Sequence, residues 1–250
     1  VYTSEDKIFS EPVLQAFEKK TGIKVRTIYD TEETKSTGLA NRLIAEKDNP
    51  RADVFWSGEP VRPVLLKIKG LTIPYVSSAA ADISTIYKDT EGHWTGFSAR
   101  ARIILYNSSL VSMDERPLSI LDLAKSKWRD QVAIANPLFG TTSVHMAALF
   151  IILGDEKARK FMNDLKANGV KIVSSNSEVR RLVARGEVKL GITDTDDANV
   201  AVREGSAVKI VYPDESGMGT LIMANMVCLM KNSPNQENGK KLIDYLVSSE

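Results

Sequence analysis

Two hydrophobic periods alternate along this chain. Residues 12–20 place Val13, Leu14 and Phe17 at the i, i+3/i+4 spacing of an amphipathic helix, and Gly22 is placed to end it. Residues 23–29 alternate apolar and polar positions and predict a strand. Residues 37–47 (Leu39, Leu43, Ile44) predict a helix, 52–56 a short buried strand, and 60–69 a helix with proline at its start. With Val1-Tyr2 reading as the tail of a first strand, this is a βαβαβα series, the signature of a mainly parallel sheet covered on both faces.

A second series follows. Strands are predicted at 132–135, 170–173, 188–192 and 208–212, and helices at 142–153, 156–168, 178–185 and 197–204. Two long extended runs, 97–107 and 219–231, lie between and after the series. Long strands joining two α/β lobes predict two hinge crossovers, with the last helix returning to the first lobe. The expected fold class is α/β, a two-lobed clamshell whose lobes are each a mainly parallel sheet flanked by helices. Residues 1–104 and 221–250 would form the first lobe and 105–220 the second. The cleft of such a clamshell is the default ligand site, and it closes by hinge motion.

Composition narrows the function. Lys and Arg nearly balance Asp and Glu, for a net charge of +1, which argues against binding nucleic acid through excess positive charge. No apolar stretch approaches the length of a membrane span, and the longest, 146–153, reads as a buried helix. Cys228 is the single cysteine and lies in an apolar run, which reads as an inert core thiol. The strand tail at Val1 fits a start after a removed targeting segment or after trimming, and the abrupt stop in the helical pattern at 240–246 fits a missing final segment.

Candidate chemistry concentrates where strands would end. The most informative stretch is Gly191-Ile192-Thr193-Asp194-Thr195-Asp196-Asp197-Ala198-Asn199, where a buried strand ends and a helix begins, with 193–197 read as the loop between them. That is the usual ligand position in open α/β sheets. Three carboxylates so close need a reason to coexist: a bound cation, or the positive end of the following helix. Five further loops share the chemistry of small hydroxyls, Asn and acids: Thr3-Ser4-Glu5-Asp6, Asp30-Thr31-Glu32-Glu33-Thr34, Ser57-Gly58-Glu59, Phe139-Gly140-Thr141-Thr142-Ser143 and Ser174-Ser175-Asn176-Ser177. Any one of them reads equally as an ordinary helix-capping turn. The Gly140 turn, opening a helix with three hydroxyls, presents donors suited to phosphate, carbonate or carboxylate, but it lacks the lysine of a Walker loop. Arg100 and Arg102, two apart on a predicted strand, share a face that could meet an anion or the cleft acids. For Arg102 a solvated face or an interlobe ion pair is the favoured reading.

Signs of catalysis are sparse. The chain has two histidines, His93 and His145, and the second reads as a packed core residue. No Ser-His-Asp or Cys-His set, HExxH or Gly-x-Ser-x-Gly is present. A binding module therefore explains the residues with the fewest assumptions. A metal-dependent enzyme using Asp194, Asp196 and Asp197 is the rival reading.

The chain resembles the solute-binding proteins of bacterial ABC importers, in the branch that binds ferric iron. The resemblance is carried in order by 1–4, Phe17-Glu18-Lys19-Lys20-Thr21-Gly22-Ile23-Lys24-Val25, Ala52-Asp53-Val54-Phe55-Trp56, Ala101-Arg102-Ile103 with Tyr106-Asn107, Gly186-Glu187-Val188 with Gly191, and Ala224-Asn225 with Leu242-Ile243-Asp244-Tyr245-Leu246. It implies the type II periplasmic-binding-protein fold, a monomer, export to the periplasm or to an outer surface as a lipoprotein, and a membrane permease as partner. It also implies a metal ion held with a synergistic anion. Iron-binding members use a tandem Tyr-Tyr, a His and a Glu. Here the tyrosine positions hold Asp196 and Asp197, the His position Asp6, and the Glu position Gly58 with Glu59 beside it. The family's anion turn matches Thr141-Thr142-Ser143, and its following Asn matches Asn176.

The expected ligand-contacting set is therefore Thr3, Ser4, Asp6, Thr31, Glu32, Ser57, Glu59, Arg100, Thr141, Thr142, Ser143, Asn176, Asp194, Asp196 and Asp197. Asp6, Glu59, Asp196 and Asp197 are its candidate metal ligands. Carboxylates suit iron(III) and equally calcium, magnesium or manganese. Three cargoes stay open: a metal ion with or without a co-bound anion, a phosphonate or phosphate ester, and another small polar solute.

Overall fold

A computed structural model describes residues 1–30 and 34–249. In chain order its main elements are β1 (Tyr2–Thr3), α1 (Lys7–Thr21), β2 (Ile28–Tyr29), α2 (Thr37–Ala45), β3 (Val54–Ser57), α3 (Val61–Ile68), β4 (Thr72–Ile73) and β5 (Thr95–Asn107). There follow β6 (Val132–Ala135), α4 (Gly140–Leu153), α5 (Asp155–Ala167), β7 (Lys171–Val173), α6 (Asn176–Ala184), β8 (Leu190–Asp194) and α7 (Thr195–Arg203). The chain closes with β9 (Val208–Val211), β10 (Ile222–Met230) and α8 (Gln236–Val247). It divides into two compact units, Val1–Ala99 with Ala224–Glu250, and Arg100–Met223. Residues 100–104 and 221–223, read from the sequence as first-lobe, group with the second unit.

In the first unit β1 pairs in parallel with β2 and β3, while β10 pairs antiparallel with β3 and β4. Helix α1 ends where Gly22 adopts φ 73°, a left-handed conformation that glycine takes at no steric cost. Its inner face buries Leu14 and Phe17 against Val54, Trp56, Val227 and Leu229 of the sheet and Leu242, Ile243 and Leu246 of α8. The strand predicted over 23–29 is realised only at Ile28–Tyr29.

The second unit orders its strands β7-β6-β8-β5-β9. Strands β6, β7 and β8 run parallel, and β5 pairs antiparallel with both β8 and β9. One apolar cluster on this unit holds Ile104, Tyr106, Leu149, Phe161 and Ile192, and a second holds Ile103, Leu105, Val179, Val183 and Ala198. Alternate residues of β5 thus enter the two clusters, as the period of a strand buried on both faces requires. Gly191 lets α6 lie directly on β8: a Cβ there would collide with Val179 Cγ1. That close packing fixes where β8 delivers its last residue, Asp194.

Candidate functional site: an aspartate cluster on two arginines

Strand β8 runs into α7 without a loop, which corrects the sequence reading of 193–197 as a connection. Asp194 is the last strand residue and the N-cap of α7, and Asp196 and Asp197 lie in the helix's first turn. There the exposed backbone N–H groups favour negative charge. Asp194 and Asp197 are buried and Asp196 is partly exposed. One ligating oxygen from each of the three lies within 4.8 Å of the others, making them, among the described residues, a group able to hold a metal ion.

Two arginines from β5 enter this group. The register opposes Arg102 to Asp194 across the ladder. Arg102 Nη1 donates to Asp194 Oδ1 at 2.7 Å, and the Arg102 side chain has no exposed surface. Arg100, two residues earlier, places Nη1 3.0 Å from Asp196 Oδ2 and 3.8 Å from Asp194 Oδ2. Arg102, read from the sequence as a solvated face or an interlobe ion pair, is instead fully buried within one unit at the centre of its polar network. Nothing local announced that role, because its partners lie far along the chain.

The Gly140 turn completes the surroundings. Gly140 opens α4 at φ 55°, a conformation open to glycine, and brings Thr141 and Thr142 to the arginine. Arg102 Nη1 lies 3.1 Å from Thr141 Oγ1, and Nη2 donates to Thr142 Oγ1 at 3.2 Å. Thr141 Oγ1 donates to Asp194 Oδ2 at 2.7 Å. From the start of α6, Asn176 Nδ2 donates to the same carboxylate oxygen at 3.0 Å, while its Oδ1 accepts from Arg102 Nη1 at 3.1 Å. Ser143 turns back, donating to the Gly140 carbonyl at 2.8 Å. Below the network Arg102 Nε lies 3.4 Å from Nδ1 of buried His145.

The electrostatics follow from this packing. Burial alone would push the Asp194 carboxyl up. The Arg102 and Arg100 charges, with hydrogen bonds from Arg102 and Thr141, outweigh it and hold the group below the usual aspartate value. Burial, then the Arg102 charge, push His145 down to about 3, against the pull of Asp194. It therefore adds no positive charge at neutral pH.

The first unit's candidates are held among themselves. Thr3 Oγ1 accepts from the Glu5 amide at 3.0 Å, and Ser4 Oγ accepts from the Gly58 amide at 3.0 Å. Ser57 Oγ donates to the Glu59 carbonyl at 2.7 Å. Asp6 is ion-paired with Lys35. Fully buried Glu59 caps α3, accepting from the Val61 amide at 2.6 Å and the Arg62 amide at 3.2 Å. Its burial pushes its carboxyl pKa up against those contacts. Thr31 and Glu32 lie outside the described residues.

Against this geometry stand the comparisons with known proteins. "Iron uptake protein A1" of Synechocystis is 27% identical over 99% of this chain and 69% of the relative. A "Putative 2-aminoethylphosphonate-binding periplasmic protein" of Salmonella typhimurium is 27% identical over 98% of this chain and 71% of its own length. Iron-bound HitA from Pseudomonas aeruginosa superposes with a TM-score of 0.91 at 22% identity, covering 99% of this chain and 80% of that one. That likeness shows the fold, the type II periplasmic-binding-protein fold expected from the sequence. The pattern that defines the bacterial extracellular solute-binding proteins matches residues 2–250, and the chain belongs to that family.

Proposed function

We propose that the protein is the capture component of an ABC importer, acting in the periplasm or at the outer cell surface and delivering its cargo to a membrane permease. We further propose that the cargo is a small cation, a metal ion above all. The observation that carries this reading is the set of three aspartate oxygens within 4.8 Å at the start of α7. Asp194 is held by Arg102, and Asp196, with Arg100 beside it, and Asp197 are the ligands we assign to the guest. All-oxygen donors suit hard cations. Asp6, paired with Lys35, and Glu59, capping α3, are committed within their own unit, so the carboxylates of the second unit are the better ligands. The relative named for iron uptake supports a metal cargo.

A second reading, a phosphonate or phosphate ester bearing an amine, is favoured by one feature, Arg100 standing beside the acids where it could meet the anionic end. The relative named for 2-aminoethylphosphonate supports it. Family members are solute-binding transport proteins, and turnover of any candidate would favour the enzyme reading instead.

Thermal unfolding of ligand-stripped protein with iron(III), manganese(II), calcium, putrescine, 2-aminoethylphosphonate and a sugar phosphate separates these readings. A metal ion at about 100 times its Kd should add about 2.7 kcal/mol of stability. Asp196→Ala and Asp197→Ala should abolish the response. An unchanged response in both variants, or stabilisation by the phosphonate alone, overturns the metal proposal.

A further inference from the structure

The Gly140 turn has the donors of an oxyanion seat, and the structure shows which carboxylate sits in it. Both oxygens of Asp194 are engaged there: Oδ2 by Thr141 Oγ1 at 2.7 Å and Asn176 Nδ2 at 3.0 Å, Oδ1 by Arg102 Nη1 at 2.7 Å. Thr142 Oγ1, 3.2 Å from Nη2, and His145 Nδ1, 3.4 Å from Nε, hold the other guanidinium nitrogens of Arg102. Asp194 is 1% exposed and Arg102 0%. A guanidinium, a hydroxyl and an amide are what a free phosphate or carbonate would need. A free oxyanion could enter only by driving the Asp194 carboxylate out of a buried, paired position, or by lying against it as a second negative charge, and both are costly.

We propose that Asp194 is a built-in counter-anion. It fills the oxyanion seat permanently, so this protein takes up its cargo without a co-bound free anion. The side chain at position 194 is therefore a specificity determinant: a carboxylate fills the seat, and truncating it to alanine frees the seat for phosphate. The link to cargo rests on the cation-capture reading, whereas the closure of the seat does not.

Equilibrium dialysis of ligand-stripped protein against inorganic phosphate tests the closure, with wild type and Asp194→Ala side by side. Removing the like charge and the side chain that occupies the seat, while keeping the donors, should tighten phosphate binding by roughly tenfold or more. Adding Thr141→Val to Asp194→Ala should reverse most of that gain. Wild type that binds phosphate as tightly as the variant overturns the proposal, as does a folded variant that gains no phosphate binding. If Asp194→Ala does not fold alone, because Arg102 is then buried without its counter-ion, phosphate should restore cooperative unfolding, and failure to restore it also overturns the proposal. A separate arm dialyses wild type against manganese(II) with and without phosphate, and equal uptake is expected. Manganese uptake that requires phosphate contradicts the built-in anion. Absence of manganese uptake under both conditions counts against cation capture and leaves the phosphate arms to decide the seat.

Discussion

At the scale of single residues, the aspartate cluster is held by charges from elsewhere in the chain. Asp194 and Arg102 are 92 residues apart in sequence and meet because β5 and β8 pair in one register. The sequence made the acids, the hydroxyl turn and Asn176 visible, since each is a local pattern at a strand end or helix start. It could not show that Asp194 occupies the turn, because that depends on which strands become neighbours. His145 was legible as a core residue, and its chemistry gives a pH prediction. Its folded imidazole takes a proton only near 3, whereas an unfolded histidine takes one near pH 6.5. Between those values the unfolded chain holds more protons, so stability falls as the pH is lowered, by about 1.4 kcal/mol per pH unit from this group. The Cε1–H resonance of His145 should not titrate between about pH 7 and about pH 4.5, and His145→Gln should flatten the acid loss of stability. A resonance that titrates near the ordinary histidine value would show that the imidazole is not buried beside Arg102.

At the scale of elements, the helices were easier to read than the strands. The apolar stripes of α1, α2 and α5 to α8 announce themselves at helical spacing, whereas the length of a strand is set by its partner. Residues 23–29 alternate like a strand, yet β2 pairs only with β1, which spans Tyr2–Thr3, so two residues of the pattern form a ladder. The joint of β8 and α7 was misplaced for a related reason. Hydroxyls and acids in a row look like a loop, but here they are a strand end and a first helical turn. That joint depends on α6 lying against Gly191. Gly191→Ala should destabilise the protein by about 1–3 kcal/mol in urea unfolding, as an overpacked core position does. Gly217→Ala, whose Cβ would meet one atom at 3.7 Å, should be close to neutral. Equal effects of the two substitutions would contradict the close packing of α6 on β8.

At the scale of the whole molecule, the two α/β units and the family were readable because they rest on element order and on segments spread along the chain. The cargo was not, because it depends on a few side chains whose partners the sequence does not reveal. The net charge of +1 gives no strong overall field, so selectivity for a charged solute has to come from local arrangement. In the proposed reading that arrangement is the aspartate cluster at the start of α7, in a chain that matches a relative named for iron uptake and another named for 2-aminoethylphosphonate binding. The most direct measurement is an anomalous X-ray difference map from crystals of ligand-stripped protein grown with iron(III) and, separately, with manganese(II). Cation capture predicts a peak in bonding distance, about 2–2.6 Å, of carboxylate oxygens of Asp196 and Asp197, with Arg100 moved off Asp196 and Asp194 still on Arg102. A peak elsewhere on the protein, or no peak at these aspartates from either metal, would contradict it.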